Sequence, residues 1–198
     1  MRRKAFDALA TIAGFVLAVV LLVAGGLLLW GHNFVSDQVH SQLTAQKIVF
    51  PPASSPAIKE LPTADAAAMS KYSGQLMTTG AQAETYANHF IAVHLTKVAN
   101  GQTYAQVSGK ALQNPTNATL QEQVATLFKG TALRGMLLNA YAFWKIGEIA
   151  LIAAIASFIG AGIFLLLAAL GLVHQLRVAP ESEMFTKGAV AREPAAAH

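Results

Sequence analysis

The sequence predicts an all-α membrane protein, with two transmembrane helices and an extracytoplasmic helical domain between them. Three observations carry that fold class. Residues 8–30 and 149–173 contain no charged side chain, and each stretch exceeds the roughly 20 apolar residues that a helix needs to cross about 30 Å of hydrocarbon. The long segment between them is polar, with apolar residues recurring at helical intervals. Arg2, Arg3 and Lys4 precede the first stretch and Arg177 follows the second, a bias that places both termini in the cytoplasm and the middle outside. The chain is therefore divided into a basic cytoplasmic N-terminus (1–7), a first span (8–30), an outer helical domain (31–148), a second span (149–173) and a disordered cytoplasmic tail (174–198).

The first span is too long for a cleaved leader, whose apolar core is about 7–15 residues, and no small-x-small site precedes polar sequence. Beyond Trp30 the helix continues to about Gln46, with Val35, Val39 and Leu43 in one stripe. Pro51 and Pro52 stop it, and 51–62, with four prolines, reads as an extended linker. From Thr63 a helix carries Met69, Tyr72, Leu76 and Met77 on one face, and Gly80 marks its C-terminal stop. A second helix places Tyr86, Ala87, Phe90, Ile91, His94, Leu95 and Val98 together until Asn100-Gly101 ends it. Thr103 caps a short helix through Leu112, which Asn114-Pro115 breaks.

Thr119 and Glu122 form a T-x-x-E capping box. Gly130 then interrupts, and Thr131 caps a helix from about Ala132 to Arg177, roughly 70 Å long at 1.5 Å per residue. Only part of that length fits within hydrocarbon, so the second helix extends outward into the middle domain. Strand-like alternation and internal repeats are absent.

Composition narrows the chemistry. Among 198 residues there is no Cys, which removes disulfides, thiolate metal sites and Cys nucleophiles. The net charge of +4 includes three cations at the N-terminus, so it is not the basic stripe of a nucleic-acid binder. His89 and His94 are five apart, about 140° around an α-helix, whereas zinc helices use a spacing of four with a nearby Glu. His94 reads as a hydrogen-bonded core or interface histidine, and His32 and His40 as surface residues. Asp65, Glu60, Glu84 and Glu122 form no fixed pair on one element. Ser54 and Ser55 lack a nucleophile-elbow context. Asn117-Ala118-Thr119 matches a glycosylation sequon, although Thr119 is accounted for as a cap. No catalytic, cofactor-binding or metal residue is assigned, and no cofactor is expected.

The residues that stand out belong to membrane contact. Trp30, Tyr141 and Trp144 suit an interfacial aromatic belt. Lys145 and Glu148, three apart, pair or snorkel at the headgroup border. Inside the spans the polar residues are only Thr11 and Ser157, too few for a proton relay or ion path. Ala10, Gly14 and Ala18, and likewise Ala156 and Gly160, fall at steps of four, which allows close helix packing or partner docking in lipid.

Three stretches carry a resemblance: F-V-S-D-Q-V-H-S-Q-L-T-A-Q-K-I-V-F-P-P from Phe34, Y-A-N-H-F-I-A-V-H-L from Tyr86, and L-F-K-G-T-A-L-R-G-M-L-L-N-A-Y-A-F-W from Leu127. Together they resemble a group of uncharacterised actinobacterial two-span membrane proteins. The resemblance covers about Trp30 to Trp144 and implies a recurring architecture without a catalytic motif. Members are sometimes labelled small subunits of an aromatic ring-opening dioxygenase, a label the residues of this chain do not support. The expected function is non-enzymatic: a structural or accessory subunit docking an envelope or respiratory complex. The alternative is an extracytoplasmic module that binds or senses a small ligand. Expected partners are the lipid bilayer and other membrane proteins or further copies of the chain, not nucleic acid.

Overall fold

A computed structural model describes residues 3–177, with side chains from residue 5 onward. Arg2, the side chains of Arg3 and Lys4, and the tail over 178–198 lie outside the described residues. The described chain is helical, with a single isolated β-bridge and no strand. It separates into a hairpin unit, up to Leu29 and from Ile152, and a unit of Trp30–Leu151. Helices α1 (Arg3–Ala45) and α7 (Ala118–Arg177) each contribute to both.

In the hairpin unit, both helices are long and apolar enough to cross a membrane, with mean hydropathies of 2.8 and 2.6 in their most apolar windows. Only 11% of either window is buried, which separates them from the core helices of a water-soluble fold, whose apolar faces are covered. Leu9, Ile12, Phe15, Ile152, Ile159 and Leu166 are all exposed. What the helices bury against each other is small. Ala18 and Gly25 on α1, and Ala154, Ala161 and Ala168 on α7, form the seam. The α7 alanines recur every seven residues, the repeat by which two helices keep one seam in register. Helix α7 also carries residues 174–177, so the tail begins later than the expected boundary at 174.

The Trp30–Leu151 unit has a core of large side chains. Phe50, Met69 and Met77 are fully buried, with Ile58, Leu61 and Ile91 around them, and Val39, Leu43 and Leu137 come from the long helices. A smaller cluster joins Ala99, Val107 and Leu127. Between α1 and α7 run α2 (Pro56–Lys59), α3 (Thr63–Ser70), α4 (Gly80–Tyr86), a π-helical turn (Ala87–Ile91), α5 (Ala92–Val98) and α6 (Tyr104–Gln113).

Several elements differ from the sequence reading. The proline stretch is not simply extended: Pro56 opens α2, where its missing N–H costs nothing, and Ile58 and Leu61 turn into the core. The helix expected to reach Gly80 ends at Ser70. Residues 74–77 instead pair with 48–50, through Phe50 N–H to Gln75 O at 2.9 Å and Met77 N–H to Ile48 O at 2.8 Å. Long-range backbone pairing here overrides a local helical pattern, and Gly74, at φ 72°, makes the turn that permits it.

Gly80 is thus the first residue of α4, behind a Thr79–Gln82 capping box. The next expected boundary holds: α5 stops at Asn100-Gly101, both with positive φ. Thr103 and Gln106 cap α6. Helix α7 begins earlier than expected and is unbroken. Its cap is Asn117, whose Oδ1 accepts the Leu120 N–H at 3.1 Å, not Thr119. Gly130 does not interrupt it, because the residue is there for space: a Cβ would meet Leu95 Cδ2.

Candidate functional site

The Trp30–Leu151 unit carries an open apolar groove of about 610 Å³ between residues 34–46, at the end of α1 and just past it, and 133–143 of α7. The helical repeat builds its walls. Gln38, Gln42 and Gln46, at steps of four, stand on one side, while Phe34, Met136 and Phe143 supply apolar surface. These three are 53%, 68% and 59% exposed, large values beside the closed core formed by Phe50, Met69 and Met77. The groove therefore offers apolar area with amide donors and acceptors at its rim.

The histidines engage separate partners. The His89 Nδ1 lies 2.7 Å from Asp65 Oδ1, tying the π turn to α3. The His94 Nδ1–H donates to the Phe90 carbonyl at 2.7 Å, and its ring packs 4.3 Å from the Phe90 ring. His32 meets the Gly147 carbonyl at 2.9 Å, clasping α1 to α7, and is not a simple surface residue; His40 is exposed. Among the described residues, no three His, Asp or Glu side chains gather as metal ligands do.

Sequence reading missed the π turn, and with it the contact of His89 with Asp65, twenty-four residues away. It also missed a polar relay in which Arg134 Nη2 donates to Asn88 Oδ1 at 2.9 Å and Asn88 Nδ2 donates to Glu84 at 2.7 Å. Tyr86 packs edge-on against Phe50, and burial pushes its hydroxyl above the ordinary tyrosine pKa.

The residues expected to matter for membrane contact are distributed unevenly. Gly14 and Ala18 lie in the helix seam, with a Gly14 Cβ position 3.7 Å from Ala168 Cβ. Gly160 faces Leu21, whereas Ala10 and Ala156 are exposed. Trp30 stands open, stacked on Phe34 at 5.7 Å. Trp144 instead packs on the core against Gly80, and Tyr141 stacks on it at 6.2 Å. Of the two arrangements expected for Lys145 and Glu148, pairing or snorkelling, the ion pair is not formed. The Lys145 Nζ lies 5.7 Å above the Trp144 ring, a cation–π contact.

At the far end of the hairpin unit, a second pocket of about 630 Å³ joins Asp7, Thr11 and His174 to the small residues Ala10, Ala13 and Gly14. His174 Nε2 is 3.8 Å from Asp7 Oδ2, and Gln175 Nε2 donates to Thr11 Oγ1 at 3.1 Å. These residues are more than 160 positions apart in sequence, and only the antiparallel return of α7 brings them together.

No family model matches the chain, and neither a curated protein nor a solved structure is found to be similar to it.

Proposed function

We propose that this protein is a non-enzymatic, membrane-anchored accessory subunit that docks an envelope or respiratory complex. In this reading the hairpin spans the membrane, both termini are cytoplasmic, and the Trp30–Leu151 unit lies outside. The observation that carries it is the contrast between a filled core and an open apolar groove. A module built around a ligand keeps an enclosed cavity, whereas Phe50, Met69 and Met77 close this interior and Phe34, Met136 and Phe143 remain uncovered. Exposed apolar surface of that kind marks interaction sites. The cations flanking the two helices support the orientation.

The docking test places a photo-reactive residue at Phe143 and irradiates intact native membranes. A discrete adduct with another membrane protein is expected, and Met136→Glu should abolish it while leaving insertion unchanged. A wild-type chain that runs as a lone monomer in gentle detergent, with no discrete adduct, would sink this reading. The small-ligand module would then lead, with the open groove rather than an enclosed cavity as its site. Orientation is tested separately. Ser54→Cys should react with an impermeant maleimide on intact cells and Ser182→Cys should not; the reverse pattern would invert the topology.

A further inference from the structure

We infer that the pocket at the Asp7 end of the hairpin binds one phospholipid with a primary-amine headgroup. The inference rests on the membrane reading of the hairpin and is independent of what the groove on the other unit docks. The pocket has two chemically different parts. One is a carboxylate: Asp7 lines the pocket, its side chain retains only 18% of its exposure, and its Oδ2 is closed to solvent without a hydrogen-bond partner among the described residues. Among the described side chains, the basic group that meets it is His174, at 3.8 Å, beyond hydrogen-bond distance. A carboxylate left so incompletely met carries a cost, which an ammonium group seated in the pocket beside it would offset through its opposite charge.

The other part is an apolar trough. Ala10, Ala13 and Gly14 leave the space, and Leu17, Phe164 and Leu167 wall it. Thr11 does not compete for the ligand, because its hydroxyl donates to the Asp7 carbonyl at 2.8 Å and accepts from Gln175. An acyl chain fits the trough, and a headgroup ammonium fits the carboxylate one helical turn away. A soluble amine would use only the carboxylate, and an uncharged apolar ligand only the trough. Their juxtaposition at the end of a span, where headgroups lie, selects an amphiphile already present in the bilayer. Primary amines can donate hydrogen bonds to Asp7. The fully methylated amine of a choline headgroup cannot.

The test is native mass spectrometry of the full-length protein in detergent, titrated with ethanolamine, choline and glycerol phospholipids of identical chains. The ethanolamine lipid should bind as a single retained copy, about tenfold or more tighter than either of the others, the scale of a charge-assisted hydrogen bond. Asp7→Asn should erase that preference. Ala10→Phe, on an exposed position clear of the helix seam, should block retention of all three lipids while helix content stays at the wild-type level. It keeps the question open to refutation should Asp7→Asn fail to fold. Equal retention of the three lipids by the wild type would mean nonselective surface lipid and would overturn the assignment. Three further results would also overturn it: a preference surviving Asp7→Asn, displacement of the lipid by soluble phosphoethanolamine alone, or lipid binding that emerges only when residues 178–198 are removed. Loss of the docking adduct at Phe143 would leave this assignment untouched.

Discussion

The two units use the same pair of long helices with opposite packing chemistry. In the hairpin unit α1 and α7 bury Ala18, Gly25, Ala154, Ala161 and Ala168 and leave their large apolar side chains outside. In the Trp30–Leu151 unit the same helices bury Val39, Leu43, Leu127 and Leu137, together with Phe50, Met69 and Met77 from the intervening chain. In water, large apolar side chains are driven inward at roughly 25 cal/mol per Å². In lipid that drive is absent, and small residues gain by letting backbones approach. In the proposed membrane reading, the change of solvent falls near Trp30 and Leu151, where the chain divides.

That comparison can be broken by mutation. The largest effect is expected at Phe50, fully buried between Tyr72 and Tyr86 with ring centroids 5.3 Å from each. Phe50→Ala should cost about 3–5 kcal/mol in denaturant unfolding followed by tryptophan fluorescence. The half-buried Phe90, expected from its helical stripe to be a core residue, should cost clearly less. Equal losses would mean that the core is wrongly centred.

Next comes Gly80→Ala, at about 1–3 kcal/mol, because its Cβ would collide with Trp144 Cβ, an atom fixed to the α7 backbone. A neutral result would detach Trp144 from the core.

In the hairpin, Gly14→Ala should be nearly silent, since the new Cβ lies 3.7 Å from its neighbours. Gly14→Leu should push α1 and α7 apart, read as a longer spin-label distance across the pair in bilayers, with insertion preserved. An unchanged distance would show that the seam does not depend on small residues. In the Trp30–Leu151 unit the smallest loss is expected for Asp65→Asn, which weakens the contact with the His89 Nδ1 and should cost about 1 kcal/mol. A loss as large as that of Phe50→Ala would show that this pair has a greater part in the unit than one contact.

The groove was partly legible in advance. Val35, Val39 and Leu43 announce that α1 continues past its apolar stretch, and 133–143 fall within the helix expected from about Ala132 to Arg177. Which of those faces stays uncovered was not legible, because coverage depends on where α3, α4 and the π turn pack. The Asp7 pocket was wholly hidden: Asp7 and His174 are unremarkable singly and acquire meaning only across a hairpin.

The sequence by itself determined the two long apolar helices, the caps at Thr103 and the stop at Asn100-Gly101, because uncharged length, side-chain capping and the freedom of glycine are local properties. Tertiary structure alone decided the rest. The pairing of 48–50 with 74–77 converted an expected helix into a bridge, and contact with Trp144 and Leu95 changed the meaning of Gly80 and Gly130 from helix breakers to points of close approach. A glycine or an apolar stripe states only what a position permits locally. Which permission is used depends on the atoms that long-range packing brings within a few ångströms.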